Sequence, residues 1–365
     1  MRHRFHSMCP YFAMFPEAFA ERWIRRLTRP GETVLDPFSG RGTTALTALL
    51  NGRNAVACDV NDVAYCLTRA KTSAPSIRAI LERIAQLESE FRHNTESYPI
   101  TEHNEFFHLC FASKTLQQLL YLRSSLKWRT RRTDTMIAAL VLGTLHGEMT
   151  LHSRYLSNQM PRTISTKPAY SVRFWRRHNL TPPDKDVFAI LKSVALYRYE
   201  SPRPLGHALV IHGDMRKLPL DANLQAIQPK CVITSPPYLN VTNFEEDQWL
   251  RLWFLGGPPA PTTGRLSRDD RHLNSDRYWQ FIADMWRSLG GVVGENGHVV
   301  VRIGSRTMET ASVKRALSAS SRFSGRMVSL ISSRVTEIKR RQTDAFRPGT
   351  RGCRVEVDCH FKFKD

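Results

Sequence analysis

The sequence has few of the features that mark a secreted protein, a membrane-anchored protein or a protein stabilised by a structural metal. Its seven cysteines are an odd number and none form a Cys-x-x-Cys pair, so we expect neither a disulfide framework nor a zinc knuckle. Residues 1–12 lack the apolar core of a signal peptide, and no apolar run approaches the length of a membrane span. These absences predict a cytoplasmic protein without a membrane anchor.

Acidic residues are also scarce. The chain has 33 Asp and Glu against 53 Lys and Arg, which gives a formal net charge of +20. Basic side chains neutralise phosphates and release condensed counterions, so this imbalance favours a nucleic-acid partner. A basic surface that only maintains solubility is the alternative.

Seven short runs rich in β-branched residues predict strands. They lie at residues 33–38, 54–60, 207–214, 230–238, 298–304, 327–338 and 355–364. Helical patterns separate most of them, which predicts an α/β fold with a doubly wound, mainly parallel sheet. The last two runs are close enough in sequence to form an antiparallel hairpin.

The interval from about residue 72 to 205 is far longer than a crossover helix requires. Apolar spacing predicts helices over residues 76–91 and 133–149. Residues 154–184 mix Pro, Arg and aromatics, and we expect an ordered loop there. The interval is therefore predicted to be a large, mainly helical insertion in a chain of 365 residues.

A glycine-rich segment, Asp-Pro-Phe-Ser-Gly-Arg-Gly-Thr-Thr at 36–44, follows the first predicted strand and precedes a helix. Its glycines permit a tight turn and a close approach of backbone to a ligand, beside the unpaired N–H groups of a helix N-terminus. Asp59 ends the next strand, where a carboxylate can accept hydrogen bonds from ribose hydroxyls. The alternative is a structural turn with a helix-capping Asp.

A second segment, Thr-Ser-Pro-Pro-Tyr at 234–238, ends the fourth predicted strand. Two prolines remove two N–H donors and hold the chain extended, which leaves the Ser235 and Pro236 carbonyls free. The Ser235 hydroxyl and the Pro236 carbonyl suit an exocyclic amine, which donates two hydrogens. Tyr238 supplies a flat face for a base. A Pro-terminated strand without this role is the alternative.

Together these segments resemble the S-adenosylmethionine-dependent amino-methyltransferases that modify N4 of cytosine or N6 of adenine in DNA. The resemblance implies a seven-stranded Rossmann-like methyltransferase sheet, S-adenosyl-L-methionine as cofactor, and Ser235, Pro236, Pro237 and Tyr238 as the catalytic motif. The implied cofactor residues are Phe15, Asp36, Pro37, Phe38, Gly40, Gly42, Thr43, Thr44, Asp59 and Asp214. For Asp214, a simple β-turn residue is the alternative.

Ser235 before Pro-Pro-Tyr is more similar to the cytosine-N4 branch than to the adenine-N6 branch. The resemblance implies base flipping, direct in-line methyl transfer and no metal, with double-stranded DNA as partner and a nucleoid location if the source is prokaryotic. Modification of adenine N6 or of an RNA base, and a silent nucleic-acid-binding protein, are the alternatives. A partner restriction endonuclease and the oligomeric state stay open.

The order of the segments departs from the family's common arrangements. Only about twenty residues separate Asp214 from Ser235, which leaves no room for a target-recognition domain between them. We therefore predict a catalytic domain of residues 1–71 and 206–365, with the 72–205 insertion as the target-recognition candidate. Its basic and aromatic runs at 127–132 and 173–177 suit phosphate and base contacts, and solvated helix faces are the alternative. A basic stretch at 338–354 is a further candidate for backbone contacts.

Overall fold

The computed structural model describes residues 2–11, 15–93, 98, 104–147, 153–160, 168–239, 244–261, 275–304, 309–338, 353 and 355–364. The strands are β1 Thr33–Asp36, β2 Asn54–Asp59, β3 Ala208–His212, β4 Cys231–Thr234, β5 His298–Gly304, β6 Met327–Glu337 and β7 Val355–Lys364. The helices are α1 Glu17–Leu27, α2 Thr43–Leu50, α3 Asp62–Thr72, α4 Ile77–His93, α5 Asn104–Cys110, α6 Ser113–Ser125, α7 Arg132–Thr144, α8 Pro168–Arg177, α9 Val187–Arg198, α10 Ala222–Ile227, α11 Phe244–Asp247, α12 Trp249–Phe254, α13 Ser275–Val292 and α14 Thr310–Ser320.

The strands form one mixed sheet in the order β3-β2-β1-β4-β5-β7-β6. The first five strands of that order are parallel, whereas β7 runs antiparallel to both β5 and β6. The chain proceeds outward from β1 in one direction and from β4 in the other. The border between β1 and β4 is therefore a topological switch point, where open α/β sheets bind ligands at the carboxyl ends of their strands.

The sheet agrees with the sequence in every strand. All seven predicted strands are present, and β6 and β7 form the predicted antiparallel pair. The seven-stranded, Rossmann-like methyltransferase sheet with its terminal hairpin is thus confirmed. Adjacent residues of β1 show why its run is continuously apolar: Val34 belongs to the core on one face of the sheet and Leu35 to the core on the other.

Both faces of the sheet are covered. One core packs α13 and α14 against the sheet through residues such as Trp286 and Leu317, which are fully buried. The other core packs α1 and α2 through Ile24 and Ala48, which are also fully buried. The first three residues of α2 are Thr, Thr and Ala, which are small or β-branched, and the helix packs on β1 and β2.

The described chain groups into two compact units. One comprises Met1–Tyr11, Arg69–Arg203 and Asn243–Arg265, and the other Phe12–Thr68, Pro204–Thr242 and Leu266–Asp365. This division differs from the predicted one because residues 1–11 and 243–265 group with the helices. The Cys9 thiol donates to the Leu142 carbonyl of α7 at 3.5 Å, and Arg251 Nε donates to the same carbonyl at 2.9 Å.

The helical unit contains the two helices predicted in the insertion, as α4 and α7. A buried ion pair joins them, with Arg83 Nε at 3.0 Å from Oδ1 of the fully buried Asp134. The prediction of an ordered loop over 154–184 is wrong at residues 168–177, which form α8. Of the helices in the described ranges, none is long and apolar enough to cross a membrane.

Candidate active site

The glycine-rich segment forms a tight turn between β1 and α2. Asp36 ends β1, and its Oδ1 accepts a hydrogen bond from the Phe38 amide at 3.2 Å. Gly40 and Gly42 have φ of +50° and +76°, a left-handed conformation that glycine adopts without strain. Because Gly42 is the N-cap of α2, the turn delivers the chain to the helix N-terminus, as predicted.

Asp59 fastens this turn to the end of β2. Its Oδ2 accepts from the Gly40 amide at 2.8 Å, and its Oδ1 accepts from the Asn61 amide at 3.0 Å. Burial raises the pKa of Asp59, and the hydrogen bonds from Asn61 and Gly40 oppose that rise. The carboxylate thus has a structural role in the turn, and its role toward a ribose stays a prediction.

Two side-chain hydrogen bonds tie the glycine turn to β4. Thr234 Oγ1 donates to Asp36 Oδ1 at 2.7 Å, and Thr44 Oγ1 donates to the Ile233 carbonyl at 3.2 Å. Burial raises the pKa of Asp36 to about 6, although the hydrogen bonds from Thr234 and Thr44 favour its ionised form. The cofactor-loop candidate and the catalytic-motif candidate therefore meet at the carboxyl ends of two paired strands.

The Ser-Pro-Pro-Tyr segment leaves β4 beside this turn. The Ser235 hydroxyl donates to the Tyr238 hydroxyl at 3.2 Å, and the Tyr238 hydroxyl donates to Glu356 Oε1 at 2.9 Å. The ring of Tyr238 packs over Gly304, since a Cβ built on that glycine lies 2.5 Å from Tyr238 Cε2. Burial is the main cause that raises the pKa of Tyr238, and the negative charge of Glu356 adds to it.

Sequence reasoning did not identify Glu356 or the arginine that holds it. Arg302 NH1 lies 3.0 Å from Glu356 Oε2, and its Nε and NH2 donate to the Asp358 carboxylate at 2.6 and 2.9 Å. The guanidinium carbon also lies 3.8 Å from the centre of the Phe19 ring. The sequence does contain a signal for this ion pair. Glu356 and Asp358 are acids at alternate positions of β7, and Arg302 is the one charged residue between the apolar residues of β5.

The remaining predicted cofactor residues have local contacts. The Phe15 ring is buried and packs edge-on against Phe19, 5.0 Å between centroids. Asp214 caps a 3-10 helix over Met215–Leu220 by accepting from the Arg216 amide at 2.9 Å, and it forms an ion pair with the Arg216 guanidinium. Pro37 and Phe38 lie in the turn after β1, and Phe38 contacts Phe281 at 5.2 Å between centroids. Their contacts to a cofactor stay predictions.

The glycine turn has properties that fit S-adenosylmethionine. The Ser39 hydroxyl lies in a residue only 6% exposed and has no hydrogen-bond partner within the described ranges of the chain. A buried hydroxyl without a partner is costly, so a ligand that bonds to it is favoured. The N–H groups of Thr43 and Thr44 begin α2, where a carboxylate such as that of a methionine moiety is stabilised.

The basic runs of the insertion expose their charges but not their tryptophans. Trp128 is 7% exposed and Trp175 is 1% exposed, with Trp175 Nε1 donating to the Gln159 carbonyl at 2.7 Å. Arg173 and Arg177 on α8 are exposed. The two indoles are core residues of the helical unit, which leaves phosphate contacts as the role that the exposed arginines suit. The basic stretch at 338–354 lies outside the described residues except at 338 and 353.

The fold and the paired motifs resemble those of methyltransferases. Comparison with known proteins agrees: residues 3–68 match a family model described as DNA methylase. The type II methyltransferase M.BsoBI of Geobacillus stearothermophilus is 24% identical over 273 residues, which are 66% of this chain and 52% of that protein. The type II methyltransferase M1.MboII of Moraxella bovis is 48% identical over 46 residues, 13% of this chain and 18% of that protein.

Among solved structures, TrmN from Thermus thermophilus is similar with a TM-score of 0.38 and 13% identity, covering 99% of this chain and 52% of that one. The chain spans about half the length of M.BsoBI. Residues 3–68 and the stretch that matches M.BsoBI are similar to DNA amino-methyltransferases, and the resemblance predicted from the motifs is confirmed at that level. The matches do not distinguish the cytosine-N4 branch from the adenine-N6 branch.

Proposed function

We propose that this protein transfers a methyl group from S-adenosylmethionine to the exocyclic N4 amine of cytosine in DNA. The observation that carries the proposal is the meeting of the two motifs at the switch point of the sheet. Asp36 opens the glycine turn and accepts from Thr234, which immediately precedes Ser235. Ligands of open α/β sheets bind at this position, so a cofactor on the turn and a base on Ser-Pro-Pro-Tyr are brought side by side.

The residues of the chain supply binding and alignment in this reaction. S-adenosylmethionine, when bound, supplies a methyl group on a sulfonium. The Ser235 hydroxyl oxygen and the Pro236 carbonyl accept the two hydrogens of the amine, which leaves the nitrogen lone pair to attack the methyl in line. The Tyr238 ring provides a face for the flipped base. A bond from carbon to nitrogen forms, the sulfonium bond breaks, and one proton leaves the nitrogen for solvent.

A DNA partner is supported by charge and by the relatives. The net charge of +20 suits a polyanion, and M.BsoBI and M1.MboII are type II methyltransferases by name. Ser235, in place of Asp or Asn, favours cytosine over adenine. We propose that the exposed arginines of α8 contact the DNA backbone and that the helical unit contributes to target recognition.

The test combines binding, transfer and product analysis. We expect titration calorimetry to show S-adenosylmethionine binding, and unmethylated plasmid DNA incubated with the protein to yield N4-methylcytosine after nucleoside digestion and mass spectrometry. Ser235→Ala is expected to bind the cofactor but to lose transfer at least about 100-fold, because the amine then lacks an acceptor. Ser333→Ala, on an exposed position of β6, is the matched control and is expected to retain activity.

Each product of that assay has a defined meaning. N6-methyladenine in place of N4-methylcytosine would retain the reaction and reject the cytosine assignment. Methylation of RNA but not of DNA would reject the DNA partner. Cofactor binding without transfer to either nucleic acid would favour a silent nucleic-acid-binding protein.

A further inference from the structure

A chain of hydrogen bonds leads from the catalytic-motif candidate into the sheet. It runs from Ser235 to Tyr238 and on to Glu356 of β7, which Arg302 of β5 holds. We propose that Glu356 is a positioning residue that fixes the Ser235 hydroxyl as a hydrogen-bond acceptor toward the substrate amine. This inference rests on the proposed function, because the amine is the group that Ser235 would receive.

The direction of each hydrogen bond in this chain follows from its last member. An ionised carboxylate can only accept, and Glu356 is the ion-pair partner of Arg302, with 3.0 Å between Oε2 and NH1. The Tyr238 hydroxyl must therefore donate its single proton to Glu356 Oε1, 2.9 Å away. The Tyr238 oxygen can then only accept a hydrogen bond from its other neighbour, the Ser235 hydroxyl. The Ser235 hydroxyl, 3.2 Å away, must be the donor of that bond.

This polarity matters for the attacking nitrogen. A free serine hydroxyl rotates, and in some rotamers its proton points at the amine and occupies the lone pair that must attack the methyl. Because the Ser235 hydroxyl donates its proton to Tyr238, only the lone pairs of its oxygen face the substrate. The amine then donates to Ser235 and keeps its own lone pair free, which is the alignment that an in-line transfer requires.

The fold holds Glu356 in the position this role needs. The register of the antiparallel pair places Glu356 directly opposite Gly304. The missing side chain at Gly304 makes room for the Tyr238 ring, because a Cβ there would lie 2.5 Å from the ring. Arg302 is itself only 7% exposed and is fixed from two sides by Asp358, which is 2% exposed, and by Glu356, which is 15% exposed. The carboxylate is therefore held rather than free to turn into solvent.

The experiment is a double-mutant cycle on single-turnover methyl transfer to unmethylated DNA. We expect Glu356→Ala and Tyr238→Phe each to lower the transfer rate about tenfold, and the double variant to be no slower than Tyr238→Phe. Glu356→Gln, which keeps the side-chain volume and an acceptor oxygen, guards against misfolding and is expected to fall between wild type and Glu356→Ala. The affinities for S-adenosylmethionine and for DNA are expected to stay within about twofold of wild type.

Glu337→Gln is the matched control. It makes the same change from acid to amide on the neighbouring strand β6, at an exposed residue, and is expected to leave the rate unchanged. Full transfer by Glu356→Ala, or additive losses in the double variant, would overturn the positioning role. Loss of cofactor affinity in the Glu356 variants would also overturn it, because it would show a general effect on the fold.

A second readout does not depend on activity. Glu356 raises the pKa of the Tyr238 hydroxyl through its charge and its hydrogen bond. In a protein labelled with ¹³C in tyrosine rings, Glu356→Gln is expected to lower the pKa of the resonance that Tyr238→Phe removes. An unchanged titration of that resonance would reject the contact. If wild-type protein methylates no nucleic acid, the proposed function fails while this titration still decides whether Glu356 fixes Tyr238.

Discussion

Replacement of Gly42 by alanine tests whether the glycine turn requires a residue without Cβ. Gly42 has φ of +76°, and an L-residue in the left-handed region costs roughly 1–2 kcal/mol. A Cβ at this position would also lie 2.7 Å from Thr68 Oγ1 and 3.0 Å from Thr68 Cα. Because the second contact is with the backbone of α3, a change of rotamer does not relieve it, and overpacking of this kind costs about 1–3 kcal/mol.

Gly31 offers a control with the strain but without the contact. Its φ is +85°, and no described atom lies within 4 Å of a Cβ built there. It precedes the amino end of β1, whereas Gly42 follows the carboxyl end. We therefore expect Gly31→Ala to lower the free energy of unfolding by about 1–2 kcal/mol. Gly42→Ala is expected to lower it by about 2–5 kcal/mol, the strain and the overpacking together.

The assay pairs urea unfolding with calorimetric titration of S-adenosylmethionine. Gly42→Ala displaces the turn that we propose to hold the cofactor, so its dissociation constant is expected to rise at least about tenfold. Gly31→Ala is expected to leave the dissociation constant within about twofold of wild type. Equal stability losses in the two variants would refute the steric reasoning, and a normal cofactor affinity in Gly42→Ala would refute the role of the turn.

Three further outcomes are expected. Burial raises the pKa of Asp36 from 3.8 to about 6, so its ionisation costs the folded state, and about 3 kcal/mol of unfolding free energy is lost as pH rises from about 3 to 7. Asp36→Asn should flatten that decline in urea melts at each pH, and an unchanged decline would contradict the assignment. Gly304→Ala should displace the Tyr238 ring and lower methyl transfer, while calorimetry shows wild-type cofactor affinity; wild-type transfer would show that the ring accommodates a methyl. Thr234→Val should weaken both cofactor binding and transfer, because it removes the donor to Asp36; an effect on transfer only would separate the two motifs.

Strands β1, β2, β4 and β5 were predictable because most of their residues are buried between the two cores. Such strands are continuous apolar runs, and their ends are marked by polar or turn residues in the sequence. The glycine turn was equally accessible, since its conformation depends on adjacent residues. Helix α8 was not predicted because the mixture of Pro, Arg and aromatics over residues 154–184 favours a loop, whereas Pro168 is the first residue of the helix. Proline is tolerated there because the first N–H groups of a helix have no partner within it.

The support for the catalytic motif was not predictable from the motif itself. Glu356 reaches Tyr238 only because β7 is inserted between β5 and β6 in the antiparallel direction, with a register that sets Glu356 opposite Gly304. Sequence spacing does not specify that register across more than fifty residues. The burial of Trp128 and Trp175 was not predictable for a related reason, because a basic segment does not reveal which of its side chains the rest of the fold covers.

Different strands hold the two ends of the Ser-Pro-Pro-Tyr segment. Substitutions at Thr234 and at Glu356 should therefore have different effects on cofactor binding and on methyl transfer. At its start, Thr234 is bonded to Asp36 of β1, the residue that also opens the glycine turn. At its end, Tyr238 is bonded to Glu356 of β7, which lies on the other side of β5 in the sheet. A substitution at Thr234 is therefore expected to affect both cofactor binding by the glycine turn and the position of Ser235. A change at Glu356 reaches only the orientation of Tyr238 and Ser235, so it separates alignment of the amine from binding of the cofactor.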